Sequence, residues 1–263
     1  MARKAMLVDT SICMGCKGCQ AACKEWNDLP AVLTRNTGSY QNPPDLSAKT
    51  WMTVKFIEYE ADNRLQWLFF PMHCMHCTEA PCVFVCPTGA MHQVEGSFVV
   101  VNTDWCIGCR YCVQACPYDV ARFDSDLGWV RKCTFCIDRV ENGLPPACVK
   151  TCPVGAIQFG DRDLLIARAR ARVEELKRLG HPNANLYGET QLGGLNVLYI
   201  LLQPPAVYDL PEQPKLPSRS IALNWLSGAI AAVVLPTFPL WWIIKRRMDA
   251  EAETSSSKGG KPV

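Results

Sequence analysis

The sequence predicts an α+β protein that contains two nested units with insertions, followed by one C-terminal membrane-spanning helix. Three observations lead to this prediction. The 16 cysteines fall into four groups of four, short strand-like segments alternate with helical segments around these groups, and residues 221–244 carry no charged side chain. A net charge of +2 gives no reason to expect a nucleic-acid partner.

The cysteines repeat a spacing along the chain. Groups one and three have the spacing C-x2-C-x2-C-x3-C, groups two and four have a longer middle gap, and groups two, three and four end in Cys-Pro. In chain order the groups are Cys13, Cys16, Cys19 and Cys23; Cys74, Cys77, Cys82 and Cys86; Cys106, Cys109, Cys112 and Cys116; and Cys133, Cys136, Cys148 and Cys152.

This spacing is typical of ferredoxin-like proteins with two [4Fe–4S] clusters. The first three cysteines bind one cluster from a tight loop, and the fourth, which we expect at the start of the following helix, binds the other cluster of the pair. Gly15, Gly18 and Gly108 allow the loops to curl closely. Each cluster takes four thiolates, so the cysteines predict four [4Fe–4S] clusters with none left over. In group one Lys24 replaces the proline, and CKEWND is typical of a helix start.

Other uses of the cysteines fit less well. Zinc also binds four cysteines, but a third cysteine inside one short loop is awkward for a tetrahedral site with one ion. Disulfides are typical of short secreted chains, which this sequence does not resemble. His73 and His76 flank Cys74. Because the cysteines already suffice for four clusters, we expect both histidines to support or pack around the sites.

The four groups can be paired in two ways. The link PTGAMHQVEGSFVVVNTDW between groups two and three predicts turn, strand, turn and strand, as in a two-cluster ferredoxin. This favours pairing two with three and therefore one with four, although spacing also allows one with two and three with four. The nested pairing predicts four ligand sets: Cys13, Cys16, Cys19 and Cys152; Cys133, Cys136, Cys148 and Cys23; Cys74, Cys77, Cys82 and Cys116; and Cys106, Cys109, Cys112 and Cys86.

The domain organisation follows from this pairing. A hairpin is predicted by the strand-like segments WMTVKFIEY and RLQWLFF, and a buried strand by GGLNVLYILLQ. An amphipathic helix is predicted by DRDLLIARARARVEELKRLG. Its apolar side chains near one stripe are Leu164, Leu165, Ala169, Val173, Leu176 and Leu179. The predicted segments are 1–30 with 130–200 as the first nested unit, 31–72 as an insertion, 73–129 as the second nested unit, 204–217 as an extended proline-rich linker, 221–244 as the membrane helix and 248–263 as a disordered tail.

The segment 221–244 is long enough to cross a bilayer once. At 1.5 Å per residue its 24 residues span about 36 Å, more than a hydrocarbon core of about 30 Å. Trp241 and Trp242 lie near one end, and Lys245, Arg246 and Arg247 follow. These features predict a single-pass protein of the cytoplasmic (inner) membrane with a cytoplasmic C-terminus and the cluster-bearing body on the periplasmic side. Without an N-terminal signal peptide, export would depend on a partner with a twin-arginine signal.

Several stretches together resemble one family. They are DTSICMGCKGCQAACKEWNDLP, CPTGAM, CIGCRYCVQACPYDVARF and KCTFCIDRVENGLPPACVKTCPVGAIQFG, with QNPPDLSAKTW in the insertion and GGLNVLYIL after the helix. Over about residues 5–245 the chain resembles the iron–sulfur (beta) subunits of respiratory formate dehydrogenases of the N/O type. These belong to the four-cluster electron-transfer subunits of molybdenum or tungsten oxidoreductases.

The resemblance implies a function in electron transfer. In that family the subunit carries electrons through four [4Fe–4S] clusters from a molybdopterin-containing catalytic (alpha) subunit to a membrane cytochrome b (gamma) subunit and quinone. All 16 cysteines match ligand positions, and no residue is expected to act as acid, base or nucleophile. Two alternatives stay open: a subunit of another molybdopterin reductase or of a hydrogenase, and a membrane-tethered zinc or structural scaffold.

Overall fold

The computed structural model describes residues 3–36, 38–61, 64–94, 98–216, 228–229, 231–232 and 234–248. The chain divides into two compact units, Met1–Leu216 and Pro217–Val263. The strands of the first unit are β1 (Lys4–Asp9), β2 (Thr53–Ala61), β3 (Arg64–Met72), β4 (Met91–Gln93), β5 (Val99–Val101), β6 (Arg122–Asp124), β7 (Trp129–Arg131), β8 (Ile157–Asp161), β9 (Asn185–Tyr187) and β10 (Val197–Leu201). Its α-helices are α1 (Gly18–Trp26), α2 (Pro81–Phe84), α3 (Tyr111–Ala115), α4 (Ile137–Glu141), α5 (Ala147–Thr151) and α6 (Arg162–Arg178).

A four-stranded sheet separates two apolar clusters. Its order is β8-β1-β10-β9, with β1 and β10 parallel in the centre and the outer pairs antiparallel. Side chains alternate between the faces of a strand. Met6 and Val8 therefore face the cluster that contains the cysteines, whereas Ala5 and Leu7 face α6. The sheet thus serves as one wall of the cysteine-rich core.

Helix α6 covers the other face of this sheet. Leu165, Ala169, Val173 and Leu176 are buried there, as the helical periodicity predicts. Leu164 and Leu179 remain 70% and 66% exposed, so their placement on the buried stripe was wrong. Leu164 precedes Leu165 by about 100° around the helix, and Leu179 lies beyond the last helical residue.

The insertion forms the predicted hairpin. Strands β2 and β3 pair antiparallel from Thr53 opposite Met72 to Ala61 opposite Arg64. The Tyr199 hydroxyl donates a hydrogen bond to the Pro71 carbonyl oxygen at 2.9 Å and so joins β10 to the hairpin. Because Tyr199 is fully buried, the hairpin is fixed against the cysteine-rich core.

Two smaller hairpins follow two of the short helices. Strands β4 and β5 pair after α2, and β6 and β7 pair after α3. The predicted strand FVVV corresponds to β5, with Phe98 buried beside it. This mixed content of short helices and strands is that of an α+β protein.

The proline-rich segment differs from the prediction. Residues 204–217 were predicted as an extended linker, but Pro205–Tyr208 forms a 3-10 helix and Tyr208 is fully buried. The Tyr208 hydroxyl accepts a hydrogen bond from the Leu202 amide at 3.3 Å. The prolines prevent a ladder of backbone hydrogen bonds but not packing of the side chains between them.

The second unit is helical at 228–229, 231–232 and 234–248. Part of the predicted membrane span 221–244 and nearly all of the predicted tail 248–263 lie outside the described residues. Within the described residues, no helix combines the length and the apolar character needed to cross a bilayer. The membrane helix therefore stays a prediction.

Candidate iron–sulfur sites

Four cavities in the first unit are each lined by four cysteines, and each has an empty volume of about 320 to 340 Å³. In every cavity three cysteines belong to one group and the fourth to another. The first cavity contains Cys13, Cys16, Cys19 and Cys152, the second Cys23, Cys133, Cys136 and Cys148, the third Cys74, Cys77, Cys82 and Cys116, and the fourth Cys86, Cys106, Cys109 and Cys112. The cysteines that line each cavity are the same as those in one ligand set of the nested pairing. None of these four cavities combines groups one and two.

A short helix begins just before the third cysteine of every group. Cys19, Cys82, Cys112 and Cys148 are each the second residue of their helix. The fourth cysteine comes four residues later, within α1 in group one and just after the helix in the other groups. The expectation that the fourth cysteine starts a helix was therefore wrong. One helical turn separates the two cysteines and directs them into different cavities.

Lys24 explains why α1 is longer than the matching helices. In groups three and four the residue after the fourth cysteine is proline, which disfavours the helical conformation of the cysteine. Cys116 and Cys152 accordingly have extended backbones, with ψ of 112° and 110°. Lys24 imposes no such limit, so α1 continues to Trp26 and CKEWND lies at its end and not at its start. The Lys24 ammonium donates to the carbonyl oxygens of Pro30 and Lys49 at 2.7 and 2.6 Å.

The loops of groups one and three turn through left-handed residues on both sides of their second cysteine. Gly15 and Lys17 have φ of +66° and +60°, and Gly108 and Arg110 have φ of +69° and +64°. Gly108 also approaches the backbone of the β6–β7 turn so closely that an added Cβ would lie 2.5 Å from the Gly128 oxygen. This glycine lets the loop close over the fourth cavity.

Gly108→Ala is expected to distort that loop. Alanine at positive φ costs about 1–2 kcal/mol, and the clash with Gly128 adds about 1–3 kcal/mol. We therefore expect the free energy of unfolding to fall by about 3 kcal/mol, measured by urea denaturation. The control is Gly89→Ala, since Gly89 has φ of +71° but no atom within 4 Å of its added Cβ. Equal losses for both variants would contradict the role of close approach.

Burial opposes ionisation of these thiols. It raises the pKa of Cys19, Cys23 and Cys82 to about 12, with neighbouring cysteines acting in the same direction. The same cause raises the pKa of Cys133 well above its ordinary value. Thiolates at these positions therefore need a positively charged partner, and iron supplies one in a cluster. The donor chemistry of the four cavities fits [4Fe–4S] groups. Within the part of the chain that the structure describes, no three His, Cys, Asp or Glu side chains converge as they would around a single ion.

Residues that lie close together in the chain line different cavities and so order the cavities in a row. Cys19 and Cys23, one helical turn apart on α1, line the first and the second cavity. Cys133 lines the second cavity and the preceding Lys132 the third, while Cys82 of the third cavity is followed by Cys86 of the fourth. The exposed cysteines, Cys16 and Cys109, belong to the first and fourth cavities. The row thus has two inner members and two ends at the surface.

The histidines are buried near the inner cavities. His73 lines the second cavity, and its Nδ1 lies 3.0 Å from the Cys74 carbonyl oxygen. His76 Nδ1 accepts a hydrogen bond from the Val99 amide at 3.1 Å. Burial lowers the pKa of His73 to about 4. In both rings Nε2 has no hydrogen-bond partner among the described residues.

Sequence reasoning missed several side chains that line the inner cavities. Trp51 and Phe135 line the second cavity, and Lys132 lines the third. A lysine directly before a cysteine is not distinctive by itself. Only the fold of the first unit shows that the Lys132 side chain points inward while Cys133 contributes to the neighbouring cavity.

Comparisons with known proteins identify iron–sulfur proteins that are similar to this chain. Two families, each described as a 4Fe-4S dicluster domain, match residues 65–162 and residues 12–90. The iron–sulfur subunit of formate dehydrogenase-O from Escherichia coli K12 is 44% identical over 216 residues, which are 81% of this chain and 72% of that protein. The iron–sulfur subunit of the nitrate-inducible formate dehydrogenase of the same strain is 42% identical over 242 residues, 90% of this chain and 82% of that protein. The formate dehydrogenase iron–sulfur subunit of Haemophilus influenzae is 44% identical over 236 residues, 88% of this chain and 76% of that protein. The chain therefore belongs to the family of formate dehydrogenase iron–sulfur subunits.

Proposed function

We propose that this chain is the electron-transfer subunit of a formate dehydrogenase complex and holds four [4Fe–4S] clusters, one in each cavity. In this assignment the 16 cysteines are the ligands. The observation that carries the proposal is the row of four cysteine-lined cavities with an exposed cysteine at each end. Bound clusters supply one-electron chemistry at each position. The substrate is oxidised by a partner subunit.

The chain's own groups hold the sulfurs and shape their electrostatics. The amide of Met91 donates to Cys86 Sγ at 3.3 Å, and the amide of Phe135 donates to Cys133 Sγ at 3.4 Å. Asn27 Nδ2 lies 3.8 Å from Cys23 Sγ. Hydrogen bonds to sulfur stabilise the more negative state and so raise a reduction potential. Because these contacts differ from one cavity to the next, we expect the bound clusters to differ in reduction potential.

The protein excludes water from the middle of the row. Phe98 and Phe135 stack with ring centroids 4.1 Å apart, and the His76 ring lies 4.9 Å from Phe135 with its plane nearly perpendicular. All three side chains are buried. A dry, rigid interior keeps the positions of electron carriers fixed and limits reorganisation of the surroundings when charge moves.

Both ends of the row open onto apolar surface. Around the fourth cavity Trp105, Ile107 and Tyr111 are 59%, 67% and 57% exposed, and beside the first cavity Met14 and Val154 are 56% and 42% exposed. Exposed apolar groups of this kind are typical of protein–protein contacts. We assign one end to the molybdopterin-containing catalytic subunit and the other to a membrane cytochrome b subunit that passes electrons to quinone.

The proposed location is the cytoplasmic membrane, with the cluster-bearing unit on the periplasmic side and the C-terminus in the cytoplasm. Support comes from the uncharged sequence 221–244 and the basic residues 245–247 that follow it. A reporter that is active only in the periplasm, fused to the C-terminus, is expected to be inactive. Activity of that fusion would contradict this orientation.

The function is tested on the anaerobically purified complex. We expect a brown protein with about sixteen irons in this subunit, whose visible absorption bleaches on addition of formate and returns with a quinone analogue. Dithionite without formate is the control for cluster reduction. A colourless zinc protein would contradict the electron-transfer proposal. Clusters that dithionite reduces but formate does not, in a complex without a pterin cofactor, would contradict the assignment to formate dehydrogenase.

A further inference from the structure

One buried cation lies beside the inner part of the row. Lys132 is 3% exposed and is the one buried lysine or arginine among the residues that the structure describes. Its side chain lines the third cavity, while the next residue, Cys133, lines the second. The cation therefore lies at the junction of the two nested units.

Lys132 has no acidic partner among the described residues. None of the ion pairs found there includes it. Its ammonium donates to the carbonyl oxygens of Val99 and of Cys133, the latter at 2.9 Å. Carbonyl groups satisfy its hydrogen bonds, but they do not neutralise its charge. A buried charge without a counter-charge is strongly unfavourable, so a negative group is expected nearby.

The side chains around Lys132 do not supply this negative charge. The imidazole of His76, which accepts a hydrogen bond from the same Val99 residue, is neutral or positive in each of its protonation states and cannot supply a negative charge. The other polar side chains at the third cavity are its cysteines and Tyr118, whose phenol hydroxyl accepts a hydrogen bond from the Tyr187 hydroxyl at 3.2 Å. Lys132 and these four cysteines line the same cavity. Four thiolates around a [4Fe–4S] core carry a net negative charge that becomes more negative on reduction.

We infer that Lys132 is the counter-charge of the cluster held by Cys74, Cys77, Cys82 and Cys116, and that it raises the reduction potential of this cluster above that of a site without a buried cation. This inference rests on the proposed function, and it adds a residue that sets the energy profile of the row. Reduction transfers one electron from the neighbouring cluster, with no bond made or broken and no proton moved. The ammonium acts as a fixed charge throughout.

The test is a redox titration of the loaded complex followed by electron paramagnetic resonance, comparing wild type with Lys132→Met. The methionine side chain has a volume similar to that of lysine and is as apolar as the lysine stem, but it carries no charge. We expect one midpoint potential to become clearly more negative, a neighbouring one to shift less, and the two others to stay unchanged. The matched control is Lys177→Gln, because Lys177 lies on α6 and pairs with Glu174 at 2.9 Å at the surface. This control is expected to leave all four potentials unchanged.

Each outcome of this comparison has a defined meaning. Unchanged potentials in a fully loaded Lys132→Met complex would overturn the inference but leave electron transfer through four clusters intact. If Lys132→Met lowers the iron content, Lys132→Arg decides, because it keeps the charge. Full iron content with arginine would support the counter-charge, and loss with arginine as well would overturn it. Wild-type protein without iron–sulfur signals would instead overturn the proposed function itself.

Discussion

Formate-dependent reduction of a quinone analogue is expected to fall to background when Cys82 is replaced by alanine. Cys82 lines the third cavity, which lies between the second and the fourth in the row, and is one of its four proposed ligands. Removing one inner carrier leaves a gap, and because electron tunnelling weakens exponentially with distance, the remaining carriers cannot bridge it. The loss should therefore be nearly complete even though the other three cavities are intact.

The measurement compares two activities of the same complex. Formate oxidation with a dye that accepts electrons directly at the catalytic subunit should continue, whereas reduction of the quinone analogue should stop. Val83→Ala, one residue further along α2, is the matched control and should retain both activities and the full iron content. Retention of quinone reduction in a Cys82→Ala protein that lacks one cluster would show that the third cavity is not an obligatory carrier.

Removal of the clusters is expected to destabilise the whole first unit. The cysteines are part of the main apolar cluster that also contains Met6, Val54 and Tyr199. Without iron, the buried thiols lose their bonds and the core retains four poorly filled cavities. Structural metal sites in small peptides contribute about 10–16 kcal/mol, and 1 kcal/mol shifts the Tm of a chain of this size by about 2–4 °C, so we expect Tm to fall by more than about 20 °C.

Differential scanning calorimetry before and after anaerobic treatment with an oxidant and a chelator checks this expectation. Loss of far-ultraviolet circular dichroism at room temperature would be the more extreme form of the same result. A chelator alone, which does not extract the clusters, is the control. A Tm that stays within a few degrees after complete loss of iron would show that the polypeptide core suffices for stability.

The sequence predicts the cysteine grouping because each group carries its own local spacing, and the turn and strand signals in the link between groups two and three predict a compact unit. The hairpin of β2 and β3, helix α6 and strand β10 follow from hydrophobic periodicity. The fourth cysteine lies near or just after the end of its helix because the helix already begins before the third cysteine. The cysteine spacing does not show where the helix begins, because residues in the left-handed region, such as Lys17 and Arg110, end the loop earlier than expected.

Features that depend on contact between distant segments could not be predicted. The burial of Tyr208 in a proline-rich stretch depends on β10, and the position of Lys132 depends on β5, whose Val99 carbonyl accepts its hydrogen bond. Lys24 was recognised as unusual, but its carbonyl partners lie beyond α1, at Pro30 and, within the insertion, at Lys49. In each case the local sequence shows a residue type, and the fold determines what the side chain contacts.

The closure of the first and second cavities by cysteines from opposite ends of the cysteine-bearing region has a consequence for biosynthesis. The third and fourth cavities draw their cysteines from residues 74–116 alone, so a nascent chain can complete both early. The first cavity is complete only after Cys152 has been synthesised, and β1 can pair with β10 only after residues 197–201 have been synthesised. Cofactor insertion should therefore proceed from the middle of the chain outward, with the first and second cavities filled last.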